Sequence, residues 1–256
     1  MRLLIFLLIF GCSALAEDAR VTALVAQSDT EERHHRTRPA LSALRAAEQV
    51  DPNNLGILLR MSRQYSDLID QTKPADAAKA VAMKSLDYAQ RASKLDPTNA
   101  KARLSVAVAY GKLTDFAGNK TKLEYSRLIR DEAAKAIELD PSDDFAWHVL
   151  GRWHFGVANV NGVMKGMASL IYGGLPDASN EEAARHLRKA AELAPRRIIH
   201  HSELARVYQK LGKPELAKTE WKIVLSLPAS NEEDRKDQRE ATKTLGTGTV
   251  SGKQSE

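Results

Sequence analysis

The stretch KAIELDP at residues 135–141 decides the fold, because four other alanine-rich or apolar segments end on a proline in the same way. They read AAEQVDP at 46–52, RASKLDP at 91–97, KAAELAP at 189–195 and IVLSLP at 223–228. Proline has no backbone N–H to donate, so each proline ends a helix and begins a turn. A recurring unit of helix and proline is typical of a stacked helical repeat.

Apolar residues recur at helical spacing between these prolines and predict paired helices. A leading helix begins at Pro39, and the predicted pairs are 54–69 with 74–95, 100–112 with 123–139, 144–157 with 179–193, and 198–211 with 214–225. The first helices share a spacing of large, small and aromatic residues, as in Leu58-Met61-Ser62-Tyr65 and Trp147-Leu150-Gly151-His154. Second helices alternate small and large residues, as in Ala217-Trp221-Val224. This pattern resembles the tetratricopeptide repeat and predicts an all-α, helical-hairpin solenoid with inserts that lengthen several repeats.

The inserts resemble a narrower family. The longest, residues 159–178, lies between LGRW at 150–153 and EEA at 181–183, and an earlier one contains DFAG at 115–118. LPA at 227–229 and EED at 232–234 close the pattern. In order and spacing these segments are similar to the regulator of microtubule dynamics family, over residues 55–245. The resemblance implies a non-catalytic protein. Some members of this family are linked to microtubules or to contact sites between organelles and to phospholipids.

The N-terminus has the pattern of a signal peptide. A basic start at Arg2 precedes an apolar run from Leu3 to Phe10, and ALA at 14–16 offers a cleavage site. We therefore expect an exported, periplasmic or secreted protein whose mature chain begins at Glu17. Two alternatives stay open: a lipoprotein attached through Cys12, or a cytoplasmic, cytoskeletal protein like the eukaryotic relatives. No later run is long enough to span a membrane.

These boundaries predict five regions. They are a signal peptide at 1–16, a polar N-terminal segment at 17–38, the repeat solenoid at 39–228, a C-terminal capping helix at 229–245, and a disordered tail at 246–256. The tail is rich in Gly, Ser and Thr, a composition that favours disorder.

Enzyme motifs are missing from the sequence, which has no dinucleotide-binding loop, no Walker loop and no Gly-x-Ser-x-Gly. We therefore predict no enzyme activity and no cofactor. A metal site is also disfavoured. His34-His35 and His200-His201 are adjacent pairs that point apart on a helix, and His148 and His154 lie six residues apart.

The concave wall of such repeats is lined by fixed positions of each first helix. In this chain those positions hold seven basic side chains, with Asp67 as the main acid: Arg63, Lys101, Lys112, His148, Arg152, Arg206 and Lys210. The apolar residues Leu59, Leu104, Val108, Phe145 and Phe155 map to the same wall. The formal net charge of the whole chain is +5, which favours acidic partners without demanding nucleic acid.

The sequence therefore predicts an interaction scaffold that binds an acidic peptide or protein in a basic groove. Two alternatives remain: binding or transfer of an anionic phospholipid, and regulation of microtubules if the signal peptide is not used. We expect no nucleic acid partner.

Overall fold

The computed structural model describes residues 2–172 and 177–248, without the side chains of residues 2–16, 164, 171–172 and 247–248. Within those ranges it is all-α, with no strand. Its helices are α1 (Arg2–Arg33), α2 (Thr37–Val50), α3 (Leu55–Ile69), α4 (Ala75–Leu95), α5 (Ala100–Leu113), α6 (Asn119–Leu139), α7 (Asp144–Ala158), α8 (Gly162–Tyr172), α9 (Asn180–Leu193), α10 (Ile198–Lys210), α11 (Pro214–Ser226) and α12 (Glu232–Gly248). The chain divides after Phe116 into two compact units, with α1–α5 in unit 1 and α6–α12 in unit 2. Within each unit, antiparallel hairpins pack in the manner of a solenoid: α1 with α2 and α3 with α4 in unit 1, and α7 with α9 and α10 with α11 in unit 2. The remaining predicted pair, 100–112 with 123–139, is divided between the units as α5 and α6.

The Asp-Pro turns join the second helix of one hairpin to the first helix of the next. After α4, the Oδ1 of Asp96 accepts hydrogen bonds from the backbone N–H and the hydroxyl of Thr98, at 3.0 and 2.8 Å. Asn99 then caps the N-terminus of α5 through its side-chain oxygen. Asp140 and Asp143 repeat this arrangement between α6 and α7. One short polar segment therefore ends a helix and begins another, which fixes the repeat boundaries.

Small residues let the two helices of a hairpin approach closely. In unit 1, the hydroxyl of Ser85 on α4 donates to the backbone carbonyl of Ser62 on α3 at 2.8 Å. In unit 2, Gly151 of α7 faces α9 so closely that a Cβ there would lie 2.8 Å from Cγ of Leu187 and 3.1 Å from its backbone nitrogen. Only glycine fits this crossing without movement of the chain.

α6 differs from the sequence prediction in extent, and the long insert holds a further helix. α6 begins at Asn119 rather than at residue 123, so it gains a polar first turn that the apolar pattern could not reveal. A short 3-10 turn, Thr114–Phe116, precedes it. The long insert contains α8, where an extra helix and turn were predicted. The predicted turn at 173–176 lies outside the described residues.

The N-terminal segment packs on unit 1 through the second half of α1. Val21, Leu24 and Val25 contact the cluster formed by α2 and α3, and Asp29 accepts hydrogen bonds from Arg60 at 2.8 and 3.0 Å. The predicted polar segment 17–38 is therefore mostly helix. Residues 2–16 continue α1 without described side chains, so cleavage after residue 16 and lipidation at residue 12 stay predictions. Over the described ranges, no helix is both long and apolar enough to cross a bilayer.

The C-terminal helix closes the last hairpin. Ala241 of α12 is buried and Leu245 packs beside it, against the cluster that Ile198, Ala205 and Trp221 form. α12 extends to Gly248, three residues beyond the predicted end of the capping helix. Most of the predicted tail, residues 249–256, lies outside the described residues.

Gly151→Ala should destabilise the protein by about 1–3 kcal/mol, because the added methyl group would be forced into Leu187 across a packed crossing. Gly156→Ala on the same helix is the matched control. No atom lies within 4 Å of a Cβ at residue 156, so alanine there should stabilise the helix by about 0.5–1 kcal/mol. Chemical denaturation measures both variants, and a Gly151→Ala protein as stable as wild type would contradict the close crossing.

Trp221→Ala should cost about 3–5 kcal/mol, because the indole is 1% exposed and fills the space between α10, α11 and α12. Leu216→Ala, on the exposed side of α11, should cost much less. If thermal melting gave equal losses for the two variants, the repeat register of the last hairpin would be wrong.

Candidate functional site

The predicted basic wall falls partly on each unit. In unit 1, Lys101 is exposed on α5 and forms no ion pair among the described residues. Arg63 on α3 pairs with Glu32 of α1, and Lys112 Nζ lies 3.0 Å from the Oδ2 of Asp70. Two of the three predicted cations are therefore already paired with carboxylates of their own unit.

In unit 2 the wall is built on one face of α10. Glu203, Arg206 and Lys210 follow each other at spacings of three and four, so they share that face. Arg152 of α7 approaches it, with its Nε 3.7 Å from Glu203 Oε1. The side chain of Arg152 is 57% exposed, and Lys210 is exposed with no ion pair in the described part of the chain. We call Arg152, Arg206 and Lys210 the unit 2 wall.

Arg206 is held in place by carboxylates of the C-terminal helix, α12. Its guanidinium donates to Asp237 at 2.6 Å and to Glu240 at 2.7 and 3.2 Å, and it also lies 3.1 Å from Glu203. Asp237 is buried, with 3% of its side chain exposed, and also accepts from the hydroxyl of Ser202 at 2.6 Å. Burial opposes the charge on Arg206, but its hydrogen bonds to Glu240 and Asp237 outweigh that cost and raise its pKa. Arg206 is therefore a structural cation whose charge is largely neutralised within the protein.

His148 lies in the interior, 1% exposed, rather than on a solvent-facing wall. Its Nδ1 is 3.0 Å from Nδ1 of His200, whose Nε2 is 2.7 Å from Oδ2 of Asp144. The carboxylate can only accept, so Nε2 of His200 carries the proton; a neutral His200 then accepts from His148 at Nδ1. Arg197 also pairs with Asp144, at 2.9 Å. This chain of hydrogen bonds ties α7 to α10.

The protonation of these two histidines follows from their surroundings. Burial, followed by the neighbouring His200, holds the pKa of His148 well below its usual value. Burial also lowers the pKa of His200, although its hydrogen bond to Asp144 opposes the shift. Both rings are therefore neutral at pH 7. Their hydrogen bonds join α7 to α10, and because both rings are buried, neither presents a base to a ligand.

His201 has the opposite surroundings although it is adjacent in sequence. Its Nδ1 is 2.7 Å from a carboxylate oxygen of Glu220, and its Nε2 is 3.0 Å from the carbonyl of Pro195. Both partners accept only, so both nitrogens must donate and the ring favours the charged form. Burial opposes that charge, but the hydrogen bond to Glu220 outweighs it and raises the pKa of His201.

The apolar residues predicted for the wall are mostly covered by the protein. Leu104 is buried, and Phe145 stacks on His148 with ring centroids 5.1 Å apart. Phe155 packs against the core between α9 and α10. Leu59 and Val108 are half-buried. Little of this apolar surface is available to a ligand, so the accessible wall is polar.

Three residues outside the predicted set could hold a metal ion. His154 of α7 meets Glu182 and His186 of α9, with one ligand atom from each within 4.8 Å of the others. The sequence argument compared histidines along one helix and therefore did not pair residue 154 with residue 186. The signal it left unused was Glu182 and His186, four residues apart on one helix face.

Stability should vary with pH in opposite directions for His148 and His201. The pKa of His148 is lowered in the folded protein, so its full contribution to the free energy of unfolding is present above the unfolded pKa of about 6.5. That contribution is lost as pH falls, by up to about 1.4 kcal/mol per pH unit. His201 has a raised pKa, so its contribution is complete below about pH 6.5 and is lost as pH rises through the folded value.

Urea denaturation from pH 5 to pH 8 measures both slopes. His148→Gln keeps a polar side chain next to His200 and should flatten the acidic side, whereas His201→Gln should flatten the alkaline side. Wild-type slopes retained in both variants would contradict these assignments.

The comparisons with known proteins agree with this architecture. A family model described as Regulator of microtubule dynamics protein 1-3 matches residues 19–248. Regulator of microtubule dynamics protein 1 of Mus musculus is 28% identical over 229 residues, which are 89% of this chain and 74% of the mouse protein. Regulator of microtubule dynamics protein 2 of Homo sapiens is 27% identical over 194 residues, 75% of this chain but only 47% of the human protein. The chain thus spans about half the length of some of its relatives.

Solved structures show the same fold at low identity. A thermophilic tetratricopeptide repeat protein of Thermus thermophilus has a TM-score of 0.64 at 14% identity, covering 88% of this chain and 98% of that one. The pilF protein of Pseudomonas aeruginosa has a TM-score of 0.56 at 13% identity, covering 90% and 86%. The hairpins are therefore of tetratricopeptide type, as the repeat spacing predicted. With a family model that matches most of its length, this chain belongs to the regulator of microtubule dynamics family.

Proposed function

We propose that this chain is a non-catalytic interaction scaffold that binds an acidic segment of a partner protein on the unit 2 wall. Family membership and the tetratricopeptide fold support a protein-interaction scaffold in general. The observation that carries the finer proposal is the pair of exposed cations near the neutralised Arg206: Arg152, whose Nε lies 3.7 Å from Glu203, and Lys210, one helical turn beyond Arg206. Carboxylates are the groups that two such cations attract.

The electrostatics of the unit 2 wall suit a peptide better than a compact anion. Arg152 offers a planar guanidinium that can bind a carboxylate with two hydrogen bonds. Lys210 lies one turn of α10 beyond Arg206, at an approximate rise of 6 Å, so its ammonium meets a different point of the ligand. An extended chain with several acidic side chains can reach both groups.

The compartment decides which partners the scaffold meets. We propose export, on the basis of the apolar run at 3–10 and the small residues at 14–16. The relatives are named regulators of microtubule dynamics, so a chain retained in the cytosol would have microtubules as its first candidate partner. Mass spectrometry of the mature N-terminus distinguishes the two: a chain beginning at residue 17 supports export, and an intact Met1 supports the cytosolic alternative.

A second candidate function is binding of anionic phospholipid. One observation favours it: Val163 and Leu170 of α8 are 66% and 89% exposed, with Lys165 exposed between them. Apolar side chains beside a cation are suited to a membrane surface. In that case anionic vesicles should bind wild type, and Val163→Ser/Leu170→Ser should abolish the binding.

Reversal of charge on the unit 2 wall should weaken acidic peptide binding. We expect Arg152→Glu/Lys210→Glu to reduce affinity for a fluorescent oligoglutamate peptide roughly tenfold, and affinity of wild type to fall as salt rises. Fluorescence anisotropy at low and high salt measures both effects. Arg206 is left unchanged, because its removal would leave the buried Asp237 without its cation and cost about 3–5 kcal/mol of stability.

The matched control is Lys218→Glu/Lys222→Glu on α11, which changes the net charge equally at exposed positions away from the unit 2 wall. Its affinity should stay within about twofold of wild type, since charge at a distance is screened by salt. Equal losses in the two double variants would mean that only net charge matters, and the unit 2 wall would then be no binding site.

A further inference from the structure

Two histidines and a glutamate from the two helices of one hairpin meet beside the Gly151 crossing. His154 lies one turn after Gly151 on α7, and a Cβ at residue 151 would be 3.2 Å from Cβ of His186 on α9. Glu182 is one turn before His186 on the same face of α9. One ligand atom from each side chain lies within 4.8 Å of the other two. The tight crossing therefore fixes the backbones from which all three side chains project.

The lone pairs of two of these groups already converge on one cation. Nη2 of Arg185 is 2.5 Å from Oε2 of Glu182 and 3.2 Å from Nε2 of His186. A guanidinium nitrogen that donates to both shows that the carboxylate and the imidazole face a common point. Arg185 is exposed, with 56% of its side chain accessible, so its pairing with Glu182 contributes little to stability.

The hydrogen bonds of the two histidines leave ring nitrogens available to a metal ion. Nδ1 of His186 donates to the backbone carbonyl of Glu182 at 2.7 Å, which leaves the lone pair on Nε2. Metal-binding histidines commonly donate their other ring N–H to a carbonyl in this way, which fixes the tautomer and the ring orientation. Nδ1 of His154 is buried and has no hydrogen-bond partner among the described residues. The interior thus contains a polar nitrogen whose bonding capacity is unused.

We propose that His154, Glu182 and His186 form a binding site for a divalent transition-metal ion, with Zn²⁺ as the best match. Two imidazoles and one carboxylate are a recognised zinc ligand set, which leaves the fourth tetrahedral position to water. Ligand atoms around zinc lie about 3.3 Å apart, as follows from metal–ligand distances of about 2.0–2.1 Å. The two imidazoles now stack with their ring planes 20° apart. Completing the site therefore requires the rings to turn until both planes contain the ion, which also closes the present separation by about 1.5 Å, as Arg185 moves into solvent.

The surroundings suit such a site. Trp153 packs edge-on against His154 with ring centroids 4.8 Å apart, and Trp147 lies 5.5 Å from the ring of His186. The two indole rings therefore flank the two imidazoles. Glu182 is 44% exposed, which gives an ion a route in from solvent. A bound ion would join α7 to α9 at the base of the long insert between them.

Zinc titration of the full chain, made without a histidine tag and stripped with EDTA, tests the proposal. Competition with a chromophoric chelator should give one Zn²⁺ per chain. Glu182→Gln and His154→Gln each remove one ligand and should weaken binding at least ~10-fold. Arg185→Ala keeps every ligand and removes the competing cation, so it should bind Zn²⁺ more tightly. Co²⁺ should quench the fluorescence of the nearby Trp147 and Trp153 in wild type and not in Glu182→Gln.

The matched control is His34→Gln/His35→Gln, which removes an exposed histidine pair in the other unit and should leave zinc affinity unchanged. No saturable zinc binding by wild type, or wild-type affinity in both ligand variants, would overturn the proposal. A loss confined to the control would assign the zinc to residues 34 and 35. If a ligand variant fails to fold, Arg185→Ala still decides, because an unchanged or weaker affinity there contradicts a site that competes with the guanidinium.

Discussion

The distance between the two helices of each hairpin is the constraint on which the rest of the structure depends. At the crossing of α7 and α9 that distance is so short that residue 151 has no room for a side-chain carbon. The side chains that project from the pair take their positions from this contact, among them the imidazoles of His154 and His186, which stack 5.0 Å apart. A looser crossing would leave the same side chains on the surface without a common geometry.

The sequence predicted the hairpins well because their signals are local. Asp96 and Asp140 each end a helix and stabilise the following turn with their own side chains. A short motif is therefore enough to specify the turn. The start of α6 was missed because its first turn is polar and presents no apolar face to read. The role of α1 was also underestimated, since hydrogen bonds such as those from Arg60 to Asp29 connect positions far apart in sequence. Contacts of that kind do not appear in the periodic pattern of apolar residues along the sequence.

The candidate site was less predictable, because charge and burial depend on neighbouring helices. Counting positions along α7 places His148 on the wall, but His200 and Phe145 cover it. Counting along α10 places Arg206 on one face with Lys210, but it cannot reveal that carboxylates of α12 neutralise Arg206 and leave Lys210 exposed. Repeat position thus predicts where a side chain starts, and the next hairpin decides whether a ligand can reach it.

The dependence of Arg206 on α12 has a consequence for synthesis of the chain. A ribosome releases α10 before α12, so the guanidinium first emerges with Glu203 as its nearby carboxylate, before Asp237 and Glu240 have left the ribosome. Domains fold as units while synthesis proceeds from the N-terminus. During that interval the nascent last hairpin exposes a cation and the apolar surface around Trp221 together. Until α12 packs against α10 and α11, this surface is therefore open to chaperones and to mistaken association.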